Sequence, residues 1–360
     1  MYDKKAIVMI ASYGGPYRGN FIPALIAYSD IVHELGYRSV FIFPKFADGF
    51  EWKNDIVSVA DKVYYIPYKP YSLDNIKRIR DICFEENAVL LYSRLSGWDI
   101  TARLAMPSLP LIWHMEMGLD LSNRRQKIKY WIKYRALGFG KTYHIAVSEA
   151  TTESINSLGV KNQCEWIPNA IDVTRLKKIK LDCNSATTRI LTFAYDPLIK
   201  GFDVALDACE LLNKDGIRFE LWASAQEKTY QYIEKRYGVE KPEWLVLLEP
   251  TDDISSLYNS VDIMISPSRS EGFSFCLAEA IYSGLPVVYS DIMGTRWADE
   301  MEMAFKFKCE DYVDLAKQIE KCNNADKSTT AQNHNRQIVE RKYLLNVWKK
   351  RIRSFLQKIS

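Results

Sequence analysis

Residues 268–280, SRSEGFSFCLAEA, set Glu271 and Glu279 eight positions apart, with Gly272, Phe273, Ser274, Phe275 and Cys276 between them. The run from Phe273 reads as a helix that starts near Ser274 and closes at Gly284. A helix start offers unpaired N–H groups and a partial positive charge, a natural seat for phosphate. Glu279 falls one to two turns inside that helix and Glu271 just before it, so both can face one cleft. Carboxylates there suit sugar hydroxyls, because they accept hydrogen bonds from vicinal OH donors. For an isolated pair at this spacing, an ordinary helix is the plainer description, with Glu271 as a capping acid and Glu279 on a solvated face.

Other residues of possible chemical use are spread along the chain. TFAYDPLIKG (192–201) carries Lys200 directly before Gly201; alone, this is a surface lysine at a helix start. ASYGGPYRGNF (11–21) follows a first strand, and Gly14, Gly15 and Gly19 allow the backbone to approach a ligand. It is not a G-x-G-x-x-G fingerprint, which leaves a dinucleotide reading weak. LPLIWHMEMG (109–118) places His114 and Glu116 at a strand end, where open sheets present functional groups. A lone histidine there is as readily a packed residue. Arg94, Ser96 and Trp98 follow another strand end, in position to shape an acceptor pocket. NRRQKIKYWIKYRALGFGK (123–141) holds seven basic residues and no acid, interleaved with aromatics. Arg124, Arg125, Lys127, Lys129, Lys133 and Arg135 on such a helix suit an anionic membrane surface; a solvated cationic face or a nucleic-acid contact is the alternative.

Positioning these residues requires strands with ordered ends. KAIVMIA, RSVFIF, KVYYIP, AVLLYS, LPLIWHM and YHIAVS are strand candidates, separated by helical patterns such as FIPALIAYSDIVHEL. Alternation of strand and helix implies parallel sheets covered on both faces. The pattern breaks over 166–189, and a second series follows: RILTFAY, FELWAS, LVLLEP, DIMISP, LPVVYS and AFKFK. An α/β protein of two doubly wound domains is therefore expected, with ligands in the cleft between them. The tail from about residue 330 reads as one long helix.

Composition narrows the function classes. The 360 residues suit two domains, and 48% hydrophobic with 26% charged residues is ordinary for a globular protein. A net charge of +3 does not argue for nucleic acid. No apolar run reaches membrane-span length, and the first residues read as a strand rather than a signal peptide. Seven scattered cysteines and four dispersed histidines fit neither a disulfide framework nor a metal cluster. Free thiols in a reducing cytoplasm are expected.

IPNAID (167–172), Lys200-Gly201, DDISSLYNSVDIMISPS (252–268), EGFSFCLAEA (271–280) and GLPVV (284–288) occur in this order. Together they resemble the retaining glycosyltransferases of family 4, which have the GT-B fold: two Rossmann-like domains facing each other across a cleft, with a last helix crossing back to the first. The resemblance implies an acceptor-side domain over 1–168, completed by a helix at about 340–360, and a nucleotide-sugar domain over 169–339. It implies that Glu279 holds the ribose, that Glu271 contacts the transferred sugar, and that the backbone of Gly272, Phe273, Ser274 and Phe275 meets diphosphate or sugar. Lys200 would neutralise the leaving phosphate. Gly14 and Gly15 would lie beside the donor phosphates, and His114 near the scissile bond. The family pairs its lysine with an arginine five positions earlier, where this chain has Tyr195; Tyr195 can still donate a hydrogen bond, and Arg269, Arg296 or Arg18 can supply charge. The expected activity is metal-independent transfer, with retention, from a nucleotide-sugar that family habit makes UDP-linked, to a hydroxyl of a glycan or lipid-linked acceptor. No cofactor is expected. Assembly of a bacterial-type surface polysaccharide or glycolipid, by a cytoplasmic protein peripheral to the inner face of the plasma membrane, fits this picture. A non-catalytic GT-B partner subunit or glycan-binding protein is the alternative that Tyr195 raises; a nucleotide-sugar epimerase is poorly served by a single placed histidine.

Overall fold

The computed structural model describes residues 4–95, 97–119, 121, 123–177, 187–216, 218–325 and 328–359. Ser96 and Cys183 lie outside the described residues. The chain divides into two compact units, Met1–Ala170 with Leu345–Ser360, and Ile171–Leu344.

The first unit is built on β1 (Ala6–Ala11), β2 (Arg38–Pro44), β3 (Lys62–Ile66), β4 (Ala88–Arg94), β5 (Leu111–Met115), β6 (Thr142–Ala146) and β7 (Cys164–Trp166). They form one parallel sheet in the order β3-β2-β1-β4-β5-β6-β7. Every residue of β1, β2 and β5 is buried, which is why they read as unbroken apolar runs rather than alternating ones. β7, only three residues long, is too short to give that signal and escaped the sequence reading. Helix Phe21–Glu34 covers one face of this sheet. Helix Leu345–Ile359 buries Trp348, Ile352, Phe355 and Leu356, a stripe at helical spacing, in the same core. Lys349 to Asp30 (3.0 Å) and Arg353 to Glu34 pair these two helices.

The second unit contains β8 (Thr188–Phe193), β9 (Phe219–Ser224), β10 (Leu245–Leu248), β11 (Ile263–Ser266), β12 (Val287–Ser290) and β13 (Ala304–Phe307). Their order is β10-β9-β8-β11-β12-β13, again all parallel. Both sheets thus repeat the doubly wound order 3-2-1-4-5-6, the first with one further strand at its edge. The expected fold class is the observed one. In such sheets successive strands run outward from the middle in opposite directions. The crevice where the order reverses opens between β1 and β4 in one unit and between β8 and β11 in the other.

The tail departs from the sequence expectation. It is two helices, Thr329–Lys342 and Leu345–Ile359, and not one. The break falls at Tyr343, whose carbonyl accepts from the backbone of Ile171 at 2.8 Å while Leu344 bridges to Ile171. The Tyr343 ring packs against Phe273 and Trp297, which favours this bend over another helical turn.

Candidate functional site

The reversal in the second sheet brings together two loops 71 residues apart. Lys200 lies after β8, and Glu271 after β11. Gly201 has φ of +63°, and a Cβ there would stand 1.9 Å from the carbonyl oxygen of Pro267. Only glycine permits both the left-handed turn and the contact. With the loops pressed together, Lys200 Nζ reaches Glu271 Oε1 at 2.5 Å, and Ser268 Oγ donates to the same oxygen at 2.8 Å. Gly294 closes on the other side, since a Cβ there would be 2.1 Å from the carbonyl oxygen of Glu271. The Tyr195 ring lies 4.6 Å from the ammonium. Burial disfavours the Lys200 charge, but the Glu271 carboxylate outweighs it and raises the amine's pKa. The ammonium therefore persists throughout the neutral range.

Helix Phe275–Ser283 begins where the spacing predicts, with Ser274 as its N-cap and Gly284 in the left-handed conformation at its end. The Ser274 side chain makes no capping bond, so the first-turn N–H groups are not satisfied by it. Gly272, Phe273 and Ser274 are buried. The Phe273 ring stacks on Trp297 at 5.1 Å and meets Phe275 at 5.6 Å, which locks the backbone entering the helix. Glu279 is buried, and not on a solvated face. Its carboxylate accepts from the Arg175 guanidinium and, at 2.9 Å, from the Tyr258 hydroxyl. Asp172 of the IPNAID run holds the turn that carries Arg175, accepting from the Thr174 backbone at 3.1 Å. Neither Arg175 nor Tyr258 was singled out from the sequence. Arg175 has no motif of its own, and Tyr258 looks like an ordinary core aromatic of helix Ile254–Asn259.

The charge replacements suggested for Tyr195 are engaged elsewhere. Arg269 forms a bidentate pair with Asp203 (2.7 Å each), bonds Glu310 at 2.7 Å, and donates to the Leu198 carbonyl. It braces the Lys200 loop rather than offering a free cation. Arg296 faces Asp291 at 3.7 Å on an exposed surface. Arg18 belongs to the first unit and pairs with Asp55 at 3.4 Å.

In the first unit, Gly14 and Gly15 follow β1. A Cβ on Gly14 would touch the Phe46 ring at 3.0 Å, and one on Gly15 the Tyr13 hydroxyl at 2.7 Å. His114 and Glu116 stand at the end of β5 beside Arg94 of β4. Arg94 Nε donates to Glu116 at 2.7 Å and its Nη2 to Asn169 at 3.1 Å; Asn169 donates back to Glu116 at 2.5 Å. Burial opposes the Glu116 charge, but Arg94, His114 and Asn169 hold its pKa below the usual carboxylate value. His114 is fully buried, with Nδ1 2.6 Å from the Tyr92 hydroxyl. Burial lowers its pKa to about 3, against the opposing pull of Glu116. The ring is neutral at pH 7, which removes proton donation from an imidazolium. Trp98 is buried in the same unit, 6.0 Å from Tyr68.

The basic segment is helix Arg124–Trp131, capped by Asn123 and with no buried residue, followed by a π-helical turn, Ile132–Leu137. Arg124, Arg125, Lys127 and Lys129 belong to the exposed helix. Lys133 does not join that face: it turns inward to pair with buried Asp99 at 2.7 Å, over the rings of Trp113 and Tyr134. Arg135 donates to the Gly159 carbonyl at 2.7 Å. Among the described residues no group of three or more His, Cys, Asp or Glu is placed to hold a metal ion, and no helix is long and apolar enough to cross a membrane.

Comparison with known proteins places this geometry in context. Residues 188–324 match the family model of glycosyl transferases group 1. The chain is 22% identical over 181 residues to the putative colanic acid biosynthesis glycosyltransferase WcaL of Escherichia coli, a stretch covering 48% of this chain and 45% of WcaL. It is 30% identical over 125 residues to protein CapJ of Staphylococcus aureus, covering 33% of this chain and 31% of CapJ. The chain spans less than half the length of these curated relatives. The crystal structure of HepE from Anabaena in complex with UDP and glucose superimposes with a TM-score of 0.76 at 18% identity, covering 98% of this chain and 99% of HepE. Residues 188–324 are thus similar to the glycosyl transferases of group 1, and along nearly its whole length the chain has the GT-B fold.

Proposed function

We propose that this protein is a glycosyltransferase that moves a sugar from a UDP-sugar to a hydroxyl of a glycan or lipid-linked acceptor, with retention of anomeric configuration and without a metal. The partly buried Lys200–Glu271 pair at the uncapped start of helix Phe275–Ser283 carries this reading. A diphosphate seated there meets a permanent ammonium and first-turn N–H groups, both aimed at charge that develops as the leaving group departs. Glu271, held by Lys200 and Ser268, presents its second oxygen to the transferred sugar. Glu279 binds the ribose hydroxyls, with Arg175 and Tyr258 fixing its carboxylate. The backbone of Gly272 to Phe275 contacts the phosphates, and Tyr195 lies beside them in place of an arginine. In the first unit, Gly14 and Gly15 follow β1 as a candidate phosphate contact, and His114 contributes at most a neutral hydrogen bond. The departing phosphate accepts the proton of the attacking hydroxyl, a front-face course that needs no protein nucleophile.

WcaL is described as a colanic acid biosynthesis glycosyltransferase and HepE was solved with UDP and glucose. These relatives support a UDP-sugar donor and a role in surface polysaccharide or glycolipid assembly. The exposed cations of helix Arg124–Trp131 support a peripheral place on the inner face of the plasma membrane. A panel of nucleotide-sugars tested by thermal shift, then by turnover with lipid extracts in EDTA and product NMR, tests the donor, the stereochemistry and the metal together. The placement of Tyr195, with Arg269 already committed to Asp203 and Glu310, favours a second reading as a non-catalytic partner subunit. UDP binding with no turnover of any UDP-sugar would select it.

A further inference from the structure

The first unit contains a cavity of about 660 Å³ between the end of β5 and helix Arg124–Trp131, within the range of small-molecule sites, roughly 300–1,000 Å³. Its lining is mainly apolar, with Met117, Leu119, Ile128 and Ile132 on its walls and Arg125 and Lys129 among its lining residues. Three unusual backbone features converge on it. Tyr71 and Leu95 both line it and both have positive φ, 69° and 70°, and the π-helical turn supplies Ile132 and Leu137. Left-handed non-glycine residues and π-turns are costly and concentrate at functional sites. Ile128 and Ile132 are about half exposed, so the apolar wall is open to a ligand. Arg125 and Lys129 lie four apart and share one helix face; among the described residues neither is held by an ion pair. Among the described residues the one carboxylate on the lining, Glu116, is already neutralised by Arg94.

We infer that this cavity takes the aliphatic chain of a lipid phosphate, with Arg125 and Lys129 on the phosphate, so that the acceptor is carried on a single-chain lipid and is not a free glycan. The inference deepens the proposed glycosyltransferase reading and rests on it for the word acceptor. The phosphate at the rim fits Arg125 and Lys129, and the chain fits the apolar walls; a free glycan would leave those walls wet.

Binding of monomeric decyl phosphate, measured by calorimetry on the full chain, tests it. Each buried CH2 is expected to strengthen binding about fourfold, so affinity should rise steeply from hexyl to decyl phosphate. Decanol should bind at least tenfold more weakly than decyl phosphate, and inorganic phosphate more weakly still. Ile128→Glu should lower decyl phosphate affinity tenfold or more, with an unchanged melting temperature. The double variant Arg125→Glu/Lys129→Glu should erase the preference over decanol. Equal affinity in Ile128→Glu, or no preference for the phosphate in the wild type, overturns the inference. So does a loss in Ile128→Glu of binding to phosphatidylglycerol vesicles alone, which makes the helix a bilayer anchor, or of self-association in sedimentation, which makes the cavity a dimer contact. UDP binding measured on the same samples separates the two readings: its failure removes the donor site and leaves the cavity result standing.

Discussion

At the scale of single residues, the two glutamates are held in different ways and should fail differently. Glu279 is buried between Arg175 and Tyr258, so Glu279→Ala removes the proposed ribose anchor and leaves Arg175 without its partner. UDP affinity by calorimetry should fall about tenfold or more, as expected for a charged hydrogen bond. Glu271→Ala should instead cut turnover of the UDP-sugar while changing UDP affinity little, because its free oxygen is assigned to the sugar. An unchanged UDP affinity in Glu279→Ala removes the ribose assignment. His114 supplies a pH prediction. Its folded pKa is about 3, lowered by burial, against an unfolded value near 6.5. Between those values the unfolded chain binds a proton that the folded chain does not, so stability is complete above about pH 6.5 and declines as pH falls toward 3. His144, lowered by burial to about 4, acts with the same sign. Urea unfolding at pH 7, 6 and 5 should show this slope, and His114→Gln should flatten it.

At the scale of elements, the site depends on loops that glycine alone allows to touch. Gly201→Ala places a methyl group against the Pro267 carbonyl and forces a left-handed residue at φ +63°. A cost of roughly 1–3 kcal/mol for the backbone alone, plus the clash, should lower the melting temperature by several degrees and weaken UDP binding as Lys200 moves off Glu271. A wild-type melting temperature in Gly201→Ala would show that the two loops yield without strain. The same close packing explains why Lys200-Gly201 is a dipeptide and not just a lysine: the second residue places the first. Helix Phe275–Ser283 was legible almost to the residue because Ser274 and Gly284 mark its ends chemically. β7 and the break at Tyr343 were not, since three residues carry no periodicity and the bend is made by Ile171, Phe273 and Trp297 from far along the chain.

At the scale of the whole molecule, each unit repeats one sheet order; Lys200 and Glu271 lie at the reversal of the second, whereas His114 and Glu116 end β5, one strand away from the reversal of the first. The basic helix belongs to the first unit, where its exposed cations and the inward Lys133 divide in role. Reversing Arg124, Arg125, Lys127 and Lys129 to glutamate should reduce sedimentation with phosphatidylglycerol vesicles and leave the melting temperature near wild type. Lys133→Ala should do the opposite. It leaves the buried Asp99 carboxylate without its cation, held by the Ser93 hydroxyl at 2.6 Å, a loss of about 3–5 kcal/mol for a broken buried ion pair, with little effect on vesicle binding. If Lys133→Ala melts like the wild type, the Asp99 pair is not a structural one.

By itself the sequence determined the α/β class, twelve of the thirteen strands among the described residues and the caps of helix Phe275–Ser283, and it singled out Glu271, Glu279 and Lys200 as candidates. These are written locally, in apolar runs, cap residues and short motifs. Tertiary structure alone decided that Lys200 meets Glu271, that Arg175 and Tyr258 close on Glu279, that Arg269 is taken by Asp203, and that Lys133 points inward while Lys129 points out. The two lysines sit one helical turn apart with similar neighbours. Burial of Asp99, 34 residues earlier in the chain, separates them, because a partner so distant in sequence leaves no trace in local periodicity.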